Sequence, residues 1–369
     1  MTDAEYLVAC RAFANDVILP RVTELDRAAV FAAEVHGFAE TAGLRHAGLP
    51  VTVGGGGVSH RGLVAGGLLM AQVCAATAFS LGFNHGTLRP LLQAGRLEQV
   101  AALVRSGTLV SWCMTEPDVS GSNLLAVRTR ANRVPGGWRI EGHKCMVGNG
   151  TAAGLFLVLA QAFDDGEALG PTLLAVPRGE GVEVGDNTQK LGFRCLPTPD
   201  VHFRGVFVPG AALLTEAGRG LPLLRDSLDY MRLGGGIVTV GLVRGTLADL
   251  LPWLREREVY GGRRLADESY VQVSVGRIVA RLRAVEGLLD QVAGALDAGR
   301  PAGDDAAALK LLGADLAHDA TDLAVQLFGW RGIDSRWPAE KRQRDARQAA
   351  IYEGTSEVQA MNLFRAWSR

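Results

Sequence analysis

Apolar residues in the first hundred positions recur at roughly helical spacing, with Phe13, Val17, Val30, Phe38 and Leu44 as the repeating members. The stretch GLPVTVGGGGVSH (48–60) interrupts them with four consecutive glycines. A third helical run follows over Gly62–Thr77, and short helices fill 87–105. From about Thr108 to Leu213 the period changes. Short β-prone runs, LVSWCMT (109–115), AVRTRANRV (126–134), WRIEGHKCMV (138–147), LFLVLAQA (155–162), TLLAVP (172–177) and DVHFRGVFV (200–208), alternate with turn residues, and VPGGW (134–138) reads as a hairpin turn. Strands of this length and spacing predict a small β barrel or sandwich. From about Gly220 helical periodicity returns. Val285, Leu289, Val292 and Leu296 step by four, three and four, and AGRPAG (298–303) stops that helix with Gly299 and Pro301. The next helix starts near Asp304 or Asp305 as N-cap, carries Leu309, Leu312, Leu316, Ala320, Leu323 and Leu327 on one face, and ends at Gly329. The pattern predicts an α+β fold in one compact unit: an N-terminal α-helical domain (1–107), a middle β barrel or sandwich domain (108–215) and a C-terminal four-helix bundle (216–369).

Composition narrows the function classes. A chain of 369 residues with 48% hydrophobic and 21% charged residues is that of a globular protein. A formal net charge of −1 provides no field for nucleic acid or an anionic membrane, and neither is expected as a partner. The five cysteines, Cys10, Cys74, Cys113, Cys145 and Cys195, are scattered, odd in number and without a CxxC pair. They predict neither a disulfide framework nor a metal site, and fit a reducing compartment. The acidic, amphipathic N-terminus does not read as a signal peptide, and no apolar run reaches the ~20 residues of a membrane span, so a cytoplasmic enzyme or binding protein is expected.

Several stretches carry candidate chemistry. In SWCMTEPDVSGSN (111–123) a strand runs into a Thr-Glu-Pro turn and a Gly-Ser pair. Its backbone N–H groups and the Thr115 and Ser122 hydroxyls suit a phosphate or a polar ring edge, and equally an ordinary strand-end turn. The glycine run at 54–57 lacks the order of a phosphate loop and reads as a plain loop. His85 in FNHGT is a candidate general acid or a hydrogen-bonded core histidine. The charge run EKRQRDARQ (340–348) reads as a solvated helix face. In IYEGTSEVQ (351–359), Gly354 breaks one helix, and Ser356 with Gln359 has the spacing of a capping box for another. Glu353 sits on the bend between them, either as a surface charge or as a base aimed into a cavity.

Together these stretches resemble the acyl-CoA dehydrogenase family, through MTEPDVSGSN (114–123), GWRIEGHKCMVGNG (137–150), RGVFVP (204–209), LDYMRLGGG (228–236), REREVYGGRRLAD (255–267), QLFGWRG (326–332) and RDARQAAIYEGTSEVQ (344–359). The resemblance spans nearly the whole chain and implies FAD-dependent α,β-dehydrogenation of an acyl thioester. It implies Glu353 as the α-proton base, with its own backbone N–H and a ribityl hydroxyl of FAD stabilising the thioester oxygen, and flavin N5 taking the β-hydride. By the same resemblance Trp112, Met114, Thr115, Gly121 and Ser122 line the flavin and its phosphates. Met146, Val147 and Gly148 flank the isoalloxazine, and Thr355 and Glu357 hold the cofactor at the last helix. Arg257, Tyr260, Gln326 and Gly329 match positions that reach the FAD of a neighbouring subunit, implying a homodimer or homotetramer. Asp229, Arg232, Tyr352 and Gly354 fall on the substrate side. The alternative base position of the family, just before Arg232, is Met231.

The chain departs from the family pattern at several points. There is one extra residue between Glu116-Pro117 and Gly121-Ser122. Met146 stands where an aromatic residue often covers the flavin, and Gly148 where a threonine usually offers its hydroxyl to N5. Val259 and Ser269 replace common polar residues, and Pro252 inside a long helix predicts a kink or break. The expected partner is an acyl-CoA or an acyl-carrier-protein thioester, the latter as in the natural-product branch of the family. Arg225 and Arg232 are then candidates for a basic rim, and an electron-transfer flavoprotein is a candidate electron acceptor. The alternatives are a flavin oxidase or monooxygenase acting on a non-thioester substrate, and a non-catalytic binding protein.

Overall fold

A computed structural model describes residues 1–368. The N-terminal part is helical: α1 (Asp3–Ala12), α2 (Val22–Ala28), α3 (Ala33–Thr41), α4 (His60–Val73), α5 (Ala75–Thr87), α6 (Arg89–Gln93) and α7 (Leu97–Arg105). Thr2 opens α1 with a capping box to Glu5. Phe13 is buried as expected, but Val30 and Phe38 are exposed. The run expected over 62–77 is two helices, because Cys74 adopts an extended conformation (φ −148°, ψ 105°) between them. α5 is almost wholly buried along its length, which hides any amphipathic signal. The glycines at 54–57 form a loop, with Gly55 packed onto the Leu49 carbonyl where no side chain fits.

One curled sheet follows: β1 (Leu109–Cys113), β2 (Arg130–Val134), β3 (Gly137–Lys144), β4 (Ala153–Asp164), β5 (Glu167–Pro177), β6 (Val182–Val184) and β7 (Val201–Pro209), in the order β1-β4-β2-β3-β7-β6, with β5 also paired to β4. The β2–β3 hairpin turns at Gly136 (φ +81°). β6 has only three residues, too few for a period to register. Its inner face holds Trp138, Ile140, Phe156 and Phe203.

The C-terminal part comprises α8 (Gly220–Glu256), α9 (Ser269–Asp297), α10 (Gly303–Phe328), α11 (Pro338–Gln348) and α12 (Ser356–Trp367). α8 runs through Pro252 to Glu256, so the proline falls in its last turn and does not divide it. Its apolar stretch is long enough to cross a membrane by composition, but 61% of that window is buried inside the protein. α10 begins at Gly303, with Ala302 as N-cap; Asp304 and Asp305 lie in its first turn, favourable to the helix dipole, rather than at the cap. α8 packs on α4, α5 and α10, and so joins the N-terminal helices to the bundle.

Candidate active site

The bend at 349–355 separates α11 from α12. Glu353 lies on it with φ +56°, a left-handed conformation that is uncommon for a residue with a side chain, and Gly354 follows at φ +88°. Six non-glycine residues among those described have positive φ, and four of them, Met146, Asn149, Phe193 and Glu353, belong to this region. Strained backbone of this kind persists where its surroundings fix it. Here the fixing groups are identifiable. The Ser356 N–H donates to the Ala350 carbonyl (3.1 Å), and Gln359 Nε2 donates to the carbonyls of Glu353 and Gly354 (3.2 Å each). Lys310, from α10, donates to the carbonyls of Ala349 (2.5 Å) and Gly354 (3.2 Å). The cap of α12 is Thr355, not Ser356, and Gln359 serves the bend rather than a capping box. The N–H of Glu353 donates to no acceptor among the described residues.

Through Tyr352 the bend packs against α5 and α8, two of the helices that wall an apolar cavity. The Tyr352 ring lies 4.9 Å from that of Phe79 and 5.9 Å from that of Phe193, and touches α8 at Gly235, where a side chain would crowd it. The cavity encloses about 70 Å³ between α4, α5 and α8, lined chiefly by Phe79, Phe83, His85, Met231, Leu233 and Ile237. Met231, at the alternative base position, is therefore a wall residue. His85 is buried with its Nε2 unpartnered among the described residues, and burial with the nearby His46 lowers its pKa to about 4. It is neutral at pH 7, which removes it as the general acid considered from the sequence.

Glu353 is half-buried, and desolvation raises its pKa to about 7, against the opposing pull of Arg232 and Lys310. Arg232 is pinned to Asp229 at 2.5 Å, which spends part of its charge, and burial keeps Asp229 above the usual carboxylate range despite that pairing. Of the residues expected on the substrate side, Tyr352 and Gly354 flank Glu353 in the chain, Arg232 acts on its charge, and Asp229 reaches it through Arg232. Arg225, by contrast, is exposed, and Arg232 is half-buried in its ion pair rather than on a rim.

The two β-domain stretches also converge. Cys145 N–H donates to the Thr115 carbonyl (2.9 Å), Lys144 Nζ to the Met114 carbonyl (3.1 Å), and Ser111 Oγ to the Gly148 carbonyl (2.7 Å). Met146 is left-handed, with its apolar side chain 45% exposed, while Val147 is buried and tied to the Pro199 carbonyl. A small cavity opens beside Met114 and Gly121, and Gly121 approaches Thr115 Oγ1 so closely (3.3 Å from a virtual Cβ) that a side chain would crowd it. Ser122 is exposed and does not line this cavity. Trp112 behaves differently from its neighbours: its ring is buried in the interdomain core, with its N–H on the Thr87 carbonyl (3.3 Å). Thr355 and Glu357 stand at the start of α12, which rests on α10. Arg257, Tyr260, Gln326 and Gly329 gather at the opposite end of the bundle and are all exposed, Tyr260 at 97%. From Arg232 to Arg257 along α8 is roughly 35 Å at 1.5 Å per residue, so within one chain this group does not meet Glu353.

Matches to the acyl-CoA dehydrogenase N-terminal (residues 3–106), middle (111–206) and C-terminal (218–367) domain models cover nearly the whole sequence. The chain belongs to the acyl-CoA dehydrogenase family. It is an oxidoreductase acting on the CH–CH group of donors, and its cofactor is FAD. It is 29% identical over 367 residues to a probable acyl-CoA dehydrogenase, FadE25, of Mycobacterium tuberculosis (98% of this chain, 94% of that one). It is 30% identical over 374 residues to the mitochondrial short/branched chain specific acyl-CoA dehydrogenase of Bos taurus (100% and 86%). The solved butyryl-CoA dehydrogenase of Megasphaera elsdenii superposes with a TM-score of 0.93 at 26% identity, covering 100% and 98% of the two chains. The residues present fit FAD: the 114–122 and 146–148 stretches come together at one end of the sheet, and a small cavity opens there beside Met114 and Gly121, where a side chain at 121 would crowd Thr115.

Two features escaped the sequence reading. Lys310 lies on the buried face of α10 at 1% exposure, in register with Ala306 and Ala317 rather than with the solvent-facing positions; a lysine at a core position was the available signal. The run 340–348 is not a solvated face. Arg342 pairs with Asp249 (2.6 Å) and the Gln72 carbonyl (3.1 Å), Arg344 with Asp26 (2.7 Å) and Glu340 (2.6 Å), and Asp345 accepts from Phe193 N–H (2.7 Å). These charges join α11 to α4, α8 and the loop before β7.

Proposed function

We propose that this protein is an FAD-dependent dehydrogenase of an acyl thioester, with Glu353 as the base that removes the α-proton. The observation that carries the reading is the carboxylate itself: held on a strained bend beside an apolar cavity, with its pKa raised by desolvation to about 7. A free carboxylate is too weak a base for a thioester α-proton, and a buried one poised near neutrality is a better one. The unengaged N–H of Glu353 is the chain's own donor for the thioester oxygen as negative charge develops there. FAD, when bound, supplies the acceptor for the β-hydride. The apolar cavity between α5 and α8 orients the acyl chain and keeps water away. The acyl carrier is coenzyme A or a phosphopantetheinyl protein. Trp112 supports the cofactor site from behind, while Met114, Thr115, Gly121, Ser122, Met146, Val147, Gly148, Thr355 and Glu357 border it. The exposed group Arg257, Tyr260, Gln326 and Gly329 serves the site of a second copy of the chain.

The test is anaerobic reduction of the FAD-loaded protein by butyryl-CoA and 2-methylbutyryl-CoA, followed by bleaching of the flavin band. Glu353→Gln is expected to slow bleaching by about 10²–10⁴-fold, the range for loss of a positioned general base. Bleaching at the unaltered rate in that variant removes Glu353 from the mechanism. Carrier-protein thioesters, compared with the CoA thioesters, identify the acyl carrier.

A further inference from the structure

Lys310 is a buried lysine on α10 whose charge acts on Glu353. Its ammonium is fully enclosed, and a lone buried charge is costly unless its donors are used. Here they are used on backbone, not on a carboxylate: one hydrogen bond to the Ala349 carbonyl before Glu353 and one to the Gly354 carbonyl after it. The ammonium also lies 5.2 Å from the centre of the Tyr352 ring, so the residues on either side of the base all engage the same group. We infer that Lys310 is a positioning residue for Glu353: its protonated side chain ties the backbone carbonyls on both sides of the bend, and so holds Glu353 in its left-handed backbone conformation. The inference rests on Glu353 being the base.

The charge state of Lys310 then matters as much as that of Glu353. Lys310 faces Glu353 and Glu357 from the bend and α12, Arg232 from α8, and Asp315 on its own helix. Burial lowers its pKa to about 8, with Glu353 pulling the other way. Glu353 accepts a proton only when ionised, above about 7, and Lys310 keeps its full set of donors only when protonated, below about 8. The rate of flavin reduction is therefore expected to be bell-shaped, with a narrow plateau between these values.

The experiment compares Lys310→Met and Lys310→Arg with the wild type in the FAD-loaded protein. It measures flavin reduction by butyryl-CoA from pH 6 to 10 and amide hydrogen exchange over 350–356. Methionine is expected to cut the plateau rate by about 10- to 100-fold through misplacement of the base, to raise the acid limb, and to accelerate exchange in the bend. Arginine, charged throughout, is expected to retain slow exchange and the acid limb and to lose the alkaline limb. If methionine does not give folded protein, Lys310→Gln is read in its place. Unaltered exchange over 350–356 in the methionine or glutamine variant overturns the inference, as does an alkaline limb that persists in Lys310→Arg. Failure of the base reading is distinguished by Glu353→Gln: undiminished reduction there removes the base, while the exchange measurement still reports on the clamp.

Discussion

Two lysine–glutamate pairs in this molecule, each with a buried lysine, have the same chemistry and opposite characters. Behind the β1 end of the sheet, Lys144 and Glu116 meet directly at 2.8 Å, and Glu116 also accepts from Thr129 Oγ1 (2.6 Å) and from the N–H groups of Arg128 (2.7 Å) and Thr129 (2.8 Å). Burial alone pushes the Glu116 carboxyl up, but these donors outweigh it and hold the pKa below the ordinary value. At the bend, Lys310 gives its hydrogen bonds to carbonyls, and Glu353 receives none of them, so desolvation wins and its pKa rises to about 7. What separates a structural carboxylate from a basic one is the assignment of donors, not the presence of a nearby lysine.

Breaking the first pair is expected to have the largest effect on stability. Lys144→Met strands a buried carboxylate and should lower the unfolding free energy by about 3–5 kcal/mol in urea titrations at pH 7, with the acid limb of flavin reduction unmoved. The second pair should respond with the opposite sign. The folded-state pKa of Glu353 lies above its unfolded value, so wild-type stability falls as pH rises from the ordinary value of 4.5 to about 7 and stays low above that. Glu353→Gln removes this slope and should stabilise the protein at pH 8, by on the order of 1–3 kcal/mol, with the gain fading toward pH 4.5; calorimetry at the two pH values reads it. A smaller effect is expected for Thr355→Ala. Losing the side-chain cap on Val358 N–H should cost about 0.5–1 kcal/mol without displacing the acid limb, since the cap serves α12 and not the carboxylate. A displaced limb in that variant would show that the helix start, rather than Lys310, sets the base.

The order of helices, sheet and bundle was legible because each part has its own hydrophobic period. The failures lie where burial is complete or an element is short. α5 is buried on every side and merged with α4 in the reading, and β6 has too few residues to alternate. The charges of α11 looked solvated because sequence shows composition and not partners; Arg342 and Asp345 are buried by elements far away in the chain. At the site, Glu353 and its bend were visible in IYEGTSEVQ, helped by Gly354. Lys310 was hidden because its role is defined by two carbonyls about forty residues away. Carbonyl positions leave no mark on side-chain sequence.

Gly148 is half of a steric pair with Phe83. A Cβ at this position would fall 2.8 Å from the tip of the Phe83 ring, so the space that a side chain at 148 would fill is occupied from α5, in the other domain. A substitution at 148 therefore has to be accompanied by movement or shrinkage of the ring at 83. The two positions are separated by sixty-five residues, yet they form one steric unit. Sequence change at either is expected to be accepted only together with change at the other, which makes the glycine a record of the domain interface as much as of the site.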